Sequence, residues 1–166
     1  MQVDQMQEEM RAARRNRGLL AGLRIFMGLL FLETWVENLH KGLYGAGYAP
    51  FIEKWAATSS IGPFADLLRT VVIPHAALFR TTQMVLELVV MGVCLLVGFC
   101  TPVAAAVAVV FTLNLLLASF GTGEWYGTYL LMIALLVVVG ASRSGRTFGV
   151  DALLARRTPR PWLGIW

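Results

Sequence analysis

The sequence predicts an all-α integral membrane protein, an antiparallel four-helix bundle with an amphipathic outer loop. Three observations carry that expectation. The 166 residues are 57% hydrophobic and only 14% charged, with a mean hydropathy of +0.66, a balance outside the range of ordinary soluble domains. Apolar runs of membrane-crossing length recur along the chain, and the arginines gather at its two ends. Three or four spans and short tails use nearly the whole length, so the chain reads as a single membrane domain over residues 1–166 with any chemistry in or at the bilayer.

The first expected span covers residues 18–38, the second 76–99, the third 102–120 and the fourth 125–141, the last leaning on Trp125, Tyr126 and Tyr129 as an interfacial anchor. Arg11, Arg14, Arg15 and Arg17 precede the first span. Arg143, Arg146, Arg156, Arg157 and Arg160 follow the fourth. Under the positive-inside rule this places both tails, residues 1–17 and 142–166, in the cytoplasm and the protein in the cell inner (plasma) membrane as a multi-pass component. The polar, arginine-rich start lacks the form of a cleavable signal peptide, so the span from Gly18 reads as retained.

The second and third spans meet at Cys100-Thr101-Pro102, a link short enough to demand a hairpin, with Pro102 suited to a first helical turn. Between the first and second spans, the segment around Phe51, Ile52, Trp55, Ile61, Phe64, Leu67, Leu68, Val71 and Val72 is too apolar for a solvated linker. It is too broken by Gly62, Pro63 and Pro74 to cross. Short amphipathic helices over the outer mouth of the bundle are expected there. Cys94 and Cys100 are both assigned to the second helix, about 240° apart around it, and form no Cys-x-x-Cys pair.

Glu87 is the one charged side chain between Thr81 and Gly123. A carboxyl in hydrocarbon needs a protein partner or a proton. Counting helical rise from the cytoplasmic ends puts Glu33, Glu87 and Asn114 at a comparable depth, roughly 16 to 22 Å. Their convergence would suit a shared proton or a protonated Glu87, able to donate to a quinone carbonyl or relay protons. The same groups would equally serve as interhelical glue. Glu33, Glu37 and Lys41 form one stripe on the outer half of the first helix. Arg24 either snorkels to phosphates or meets a buried acceptor.

His40 and His75 fall near the outer interface, among Trp35, Trp55, Trp125, Tyr44, Tyr48 and Tyr126. These aromatics read as a membrane belt, and stacked rings there could also contact a quinone head group. No haem or zinc spacing completes a metal site around the two histidines, and GxGxxG, P-loop, GxSxG and HExxH motifs are absent. The terminal arginines are a topology signal, and nothing in the chain points to nucleic acid.

Three stretches resemble the DoxX/DoxD superfamily of small four-helix membrane proteins, which includes the DoxD-type subunit of thiosulfate:quinone oxidoreductase. They are Glu87-Leu-Val-Val-Met-Gly92 with Leu95-Leu-Val-Gly-Phe-Cys-Thr101, the upstream Pro74-His-Ala-Ala-Leu-Phe79, and Gly140-Ala-Ser-Arg143-Ser-Gly-Arg146-Thr-Phe-Gly149-Val-Asp151. Arg24-Ile-Phe-Met-Gly28-Leu-Leu-Phe31 also fits, whereas Thr34-Trp35 replaces the small residue common before the later lysine. The resemblance makes Glu87, Arg146 and Asp151 this chain's copies of characteristic polar positions. Arg146 and Asp151 are expected to pair with each other, or Arg146 with phosphate, and to tie the tail to the cytoplasmic face.

The resemblance implies a membrane subunit of a quinone-linked oxidoreductase, part of electron transport. Glu87 and Glu33 would handle protons, and Asn114, His40, His75 and Trp55 would contact a quinone held without a covalent bond. The competing expectation is a non-catalytic accessory subunit that stabilises a larger respiratory or photosynthetic complex. It rests on the small size, the absence of a cofactor motif, and a basic start and aromatic end, Pro161-Trp-Leu-Gly-Ile-Trp166, suited to docking. A transporter is a third reading, with one buried carboxyl as a thin path. Membrane lipids and other membrane subunits are the expected partners.

Overall fold

The computed structural model describes residues 2–157. Every regular element among them is helical. α1 runs over Gln2–His40, α2 over Tyr48–Thr58 and α3 over Gly62–Leu67, prolonged by a π-helical turn at Leu68–Val72. α4 covers Ala76–Val97, α5 Thr101–Ser119, α6 Gly127–Ala141 and α7 Val150–Arg157. α1, α4 and α5 are long and apolar enough to cross a membrane, and α6 is a shorter apolar helix of 15 residues. The protein is a multi-pass membrane protein.

The basic N-terminal segment is not an irregular tail. It is the first part of the 39-residue α1, which projects well beyond the bundle with its side chains exposed before the apolar stretch begins at Gly18. The aromatic C-terminal segment from Pro161 and Arg160 lie outside the described residues.

Lipid tails are as apolar as leucine, so helices in a membrane are held by close packing more than by burial of apolar surface. Two small-residue contacts supply that closeness. On α5, Ala104, Ala105 and Ala108 are buried, and Gly140 of α6 sits against Ala105, where an added Cβ would lie 3.1 Å from the alanine methyl. Between α1 and α4, a Cβ on Gly28 would fall 2.7 Å from the backbone nitrogen of Leu96. Met27, Phe31, Met91, Leu95, Leu136 and Val139 fill the core around these contacts. α1 and α4 run antiparallel, since Gly28 meets Leu96 and Asn38 meets Glu87.

α4 is not a uniform α-helix. Leu86–Cys94 is wound as a π-helix, with Glu87 near its start. It stops at Val97, because Gly98 takes a left-handed conformation at φ +70°. Cys100 is therefore not in the helix, as the spacing had suggested. It is the N-cap of α5, at φ +48°, a conformation that costs a non-glycine residue on the order of 1–2 kcal/mol. Pro102 occupies the first turn of α5 as expected.

The first loop folds as the amphipathic pattern required. α2 and α3 lie over one end of the bundle, where Tyr48, Ile52, Ala56, Phe64, Leu68 and Val72 form a second core on Ala118 of α5. The Ser60 N–H donates to the Phe120 carbonyl at 2.9 Å, and Arg69 donates to the Ala56 carbonyl at 2.6 Å. This is the loop end of the bundle; the opposite one, where the chain passes from α6 to α7, is the tail end.

Gly28→Leu should separate α1 from α4, because its first added atom meets backbone that cannot rotate away. The expected result is a loss of monodisperse folded protein in mild detergent by size-exclusion chromatography, with Gly18→Leu, which has no neighbour within 4 Å, behaving as the wild type.

Candidate functional site

At the loop end, Gly42 at φ +71° reverses the chain after α1, and the Gly45 and Gly47 N–H groups both donate to its carbonyl, at 3.0 and 3.2 Å. The compact turn lays Tyr44 back onto Trp35, their rings 5.9 Å apart and stacked. It also brings the Tyr44 hydroxyl to Glu87, which is 1% exposed. Three donors converge on the carboxylate. Gln83 donates to Oε1 at 2.9 Å; Asn38, at 3.0 Å, and the Tyr44 hydroxyl donate to Oε2. Each of these groups can donate, which is what an ionised carboxylate needs in a low-dielectric site. Burial and then the bond to Glu87 push the Tyr44 hydroxyl above its ordinary range, and burial does the same to Tyr48, so both stay protonated donors at neutral pH.

The expected convergence of Glu33, Glu87 and Asn114 does not form. Glu33 is exposed on α1 and makes no hydrogen bond or ion pair among the described residues. Asn38, a little over one turn further along, takes the place assigned to it. Depth counting took residues 18 and 99 as level ends, but Gly28 packs on Leu96, so α1 enters the bundle well after Gly18 and Asn38 comes level with Glu87. Gln83 was legible as the polar residue one helical turn before Glu87. Tyr44 was not, because a glycine-rich turn delivers it.

Asn114 lies on α5 across a groove from Gln83. This groove, of about 490 Å³, runs between α4 and α5, lined by Phe79, Thr82, Gln83 and Leu86 on one side and Val107, Val110, Phe111 and Asn114 on the other, with Tyr48 over it. A second cavity of about 450 Å³ shares Tyr48, Phe79, Gln83, Phe111 and Asn114 and extends under α2 and α3 to Trp55. Of the residues expected near a quinone, Asn114 and Trp55 line this space and His40 and His75 do not. His40 ends α1 exposed, and His75 bonds the Val71 carbonyl through Nδ1 at 2.9 Å. Among the described residues, no group of three His, Cys, Asp or Glu could hold a metal.

At the tail end, Arg24 is fully buried. It does not snorkel. Nη1 donates to the Ser144 carbonyl at 3.2 Å and Nη2 to the Phe148 carbonyl at 3.2 Å, with Thr147 a longer contact at 3.5 Å. The segment after α6 thus wraps around a guanidinium from the first helix. Asp151, at the start of α7, is 1% exposed and accepts the Cys100 and Thr101 N–H groups at 2.7 and 2.9 Å. The left-handed Cys100 aims these two donors at one carboxylate, a backbone nest that caps α5 from fifty residues away in the chain. In return, the Asp151 N–H donates to the Gly98 carbonyl at 2.8 Å.

Arg24 is a cation that feels the charge of Asp151. Arg146 is exposed, five positions before Asp151, with a 3-10 turn at Ser144–Arg146 and a left-handed Phe148 between them.

The family described as TQO small subunit DoxD matches residues 20–162. The chain belongs to the DoxD family. No curated protein and no solved structure matches it. The matched region begins just before Arg24 and runs past Asp151, so both buried charge clusters fall within this DoxD chain's family region.

Removing the buried guanidinium strands the carbonyls that accept from it. Arg24→Ala should destabilise the DoxD fold by about 2–3 kcal/mol, since the Ser144 and Phe148 carbonyls lose a charged donor. Arg15→Ala, exposed on α1, should cost less than about 1 kcal/mol. Thermal unfolding in detergent, followed by circular dichroism, orders the two; equal effects would contradict a structural role for the buried guanidinium.

Proposed function

We propose that this DoxD chain is the membrane subunit of a quinone-linked oxidoreductase, and that the groove between α4 and α5 is where it meets the quinone. The family description, small subunit of TQO, supports the class of assembly. The observation that carries the site is that Gln83 lines an apolar groove of about 490 Å³ and is also hydrogen-bonded to the buried Glu87. One amide therefore touches both the place where a lipid-soluble ring fits and the group that can hold a proton.

The residues present fit a quinone. Its ring and isoprenoid tail match the apolar walls of Phe79, Leu86, Val110 and Phe111, and the side-chain amides of Gln83 and Asn114 stand on opposite sides to meet carbonyl oxygens. When bound, a quinone would accept two electrons and two protons and become a quinol. The chain's part is to orient the ring, exclude water and manage protons. Glu87 accepts hydrogen bonds from Gln83, Asn38 and Tyr44, and Tyr44 extends the network toward the surface turn. Electrons would come from a partner subunit. In this reading the helices form an antiparallel four-span bundle with both tails cytoplasmic, in keeping with the arginine distribution.

Two substitutions separate this function from a purely structural one. Glu87→Gln should lower quinone-coupled turnover of the purified assembly by on the order of tenfold to a hundredfold, in line with loss of a proton-handling carboxyl. Val110→Trp fills the groove without touching the Glu87 network and should weaken binding of a short-chain quinone analogue, read by ligand titration. Unchanged turnover and unchanged binding in the two variants would overturn the assignment and leave an accessory subunit that only holds its complex together.

A further inference from the structure

The tail end carries a second constellation, independent of the groove and of any quinone. Arg17 of α1 and Ser142, Arg143, Arg146 and Thr147 of the segment after α6 surround one cavity of about 340 Å³. Three guanidinium groups and two hydroxyls line it, and no carboxylate does. Topology signals explain why arginines flank spans, but they do not require residues 126 positions apart, Arg17 and Arg143, to share a cavity.

The convergence is built by the buried chemistry beneath it. Arg24, two turns further along α1 than Arg17, takes the Ser144 and Phe148 carbonyls. The segment that carries Arg143, Arg146 and Thr147 is thereby pinned by its backbone with those side chains left to the outside. Arg143 is itself held at φ +48°, a conformation that costs energy in a non-glycine residue and is fixed here by its N–H bond to the Gly140 carbonyl at 3.2 Å. The Ser142 and Ser144 hydroxyls both donate to the Val139 carbonyl at 3.2 Å, which ties the turn to the end of α6. The arginines are not a loose solvated run. Their backbones are set before any ligand arrives.

We infer that this cavity binds a tetrahedral oxyanion, and that the phosphate of an anionic phospholipid headgroup is its occupant. Guanidinium forks match phosphate oxygens in pairs, and the hydroxyl of Thr147 adds an uncharged donor. The position selects the source. Arg17 immediately precedes the apolar stretch that opens at Gly18, which sets the cavity at headgroup level, with the acyl chains free to run along the exposed Leu19 and Phe26 of α1. A lipid seated there bridges α1 to the segment after α6 from outside, as Arg24 does from within.

The test uses the full chain, purified in detergent and stripped of lipid, with short-chain phosphatidylglycerol, short-chain phosphatidylcholine and inorganic phosphate as probes. Binding is read by native mass spectrometry and by the shift in thermal unfolding. Phosphatidylglycerol should bind at least about tenfold more tightly than phosphatidylcholine. Arg143→Gln and Arg17→Gln should each weaken it roughly tenfold, whereas Arg15→Gln, outside the cavity, should leave it unchanged. If inorganic phosphate binds as tightly as the lipid and shows the same dependence on Arg17 and Arg143, the site is an oxyanion site fed from solution. Equal binding of the two lipids, or equal losses in the Arg15 and Arg143 variants, would reduce the cluster to diffuse surface charge and overturn the inference. Arg143→Lys keeps the charge and loses the fork, so partial retention of lipid binding there distinguishes a bidentate contact from simple attraction.

Discussion

The carboxylate of Asp151 in its backbone nest, faced by the Arg24 guanidinium, is the interaction on which the tail end of this protein depends. It joins α1, the α4–α5 hairpin, the turn after α6 and the start of α7 with groups that have no alternative partner in a low-dielectric interior. The hairpin needs it most. Cys100 is in a strained left-handed conformation with two N–H groups exposed by the helix start, and a carboxylate repays both the strain and the unsatisfied donors. Arg24 then keeps the carboxylate from being an isolated charge, and its remaining donors organise the carbonyls of the following turn.

The loop end solves the same problem differently. Glu87 has no cation among its hydrogen-bond partners; amide and phenol donors surround it instead. The donors on Glu87 are side chains, whereas Asp151 is held by backbone N–H groups at the start of α5. One of those neighbours, Gln83, faces the groove. That difference is the physical reason to assign structure to the tail-end cluster and chemistry to the loop-end one. The π-helical winding supports the division, because it departs from the α-helix where Glu87 sits and such departures gather at functional positions.

Both ends also share a pattern of outward consequence. The buried Glu87 network shapes the wall of an apolar groove, and the buried Arg24 shapes the wall of a basic cavity. At the loop end one amide, Gln83, both donates to the buried carboxyl and lines the groove, whereas at the tail end the buried guanidinium fixes backbone whose neighbouring side chains line the cavity. The small-residue contacts at Gly28 and Gly140 set the helix separations within which both arrangements can close.

Hydropathy and charge by themselves determined the membrane class, the apolar helices, the hairpin at Pro102 and the amphipathic helices of the first loop, because these follow from local composition and from the bilayer's thickness. The polar positions Glu87, Arg24 and Asp151 were also visible, each as a charged group where charge is costly. Their partners were not. Asn38 in place of Glu33 depended on how far along its axis α1 meets α4, and Tyr44 depended on a left-handed glycine that turns the chain back on itself. Arg24 meets the carbonyls of the turn after α6 from the far end of the chain. Sequence spacing fixes neighbours within one helix. Between helices, tertiary structure alone decided which donor meets which acceptor.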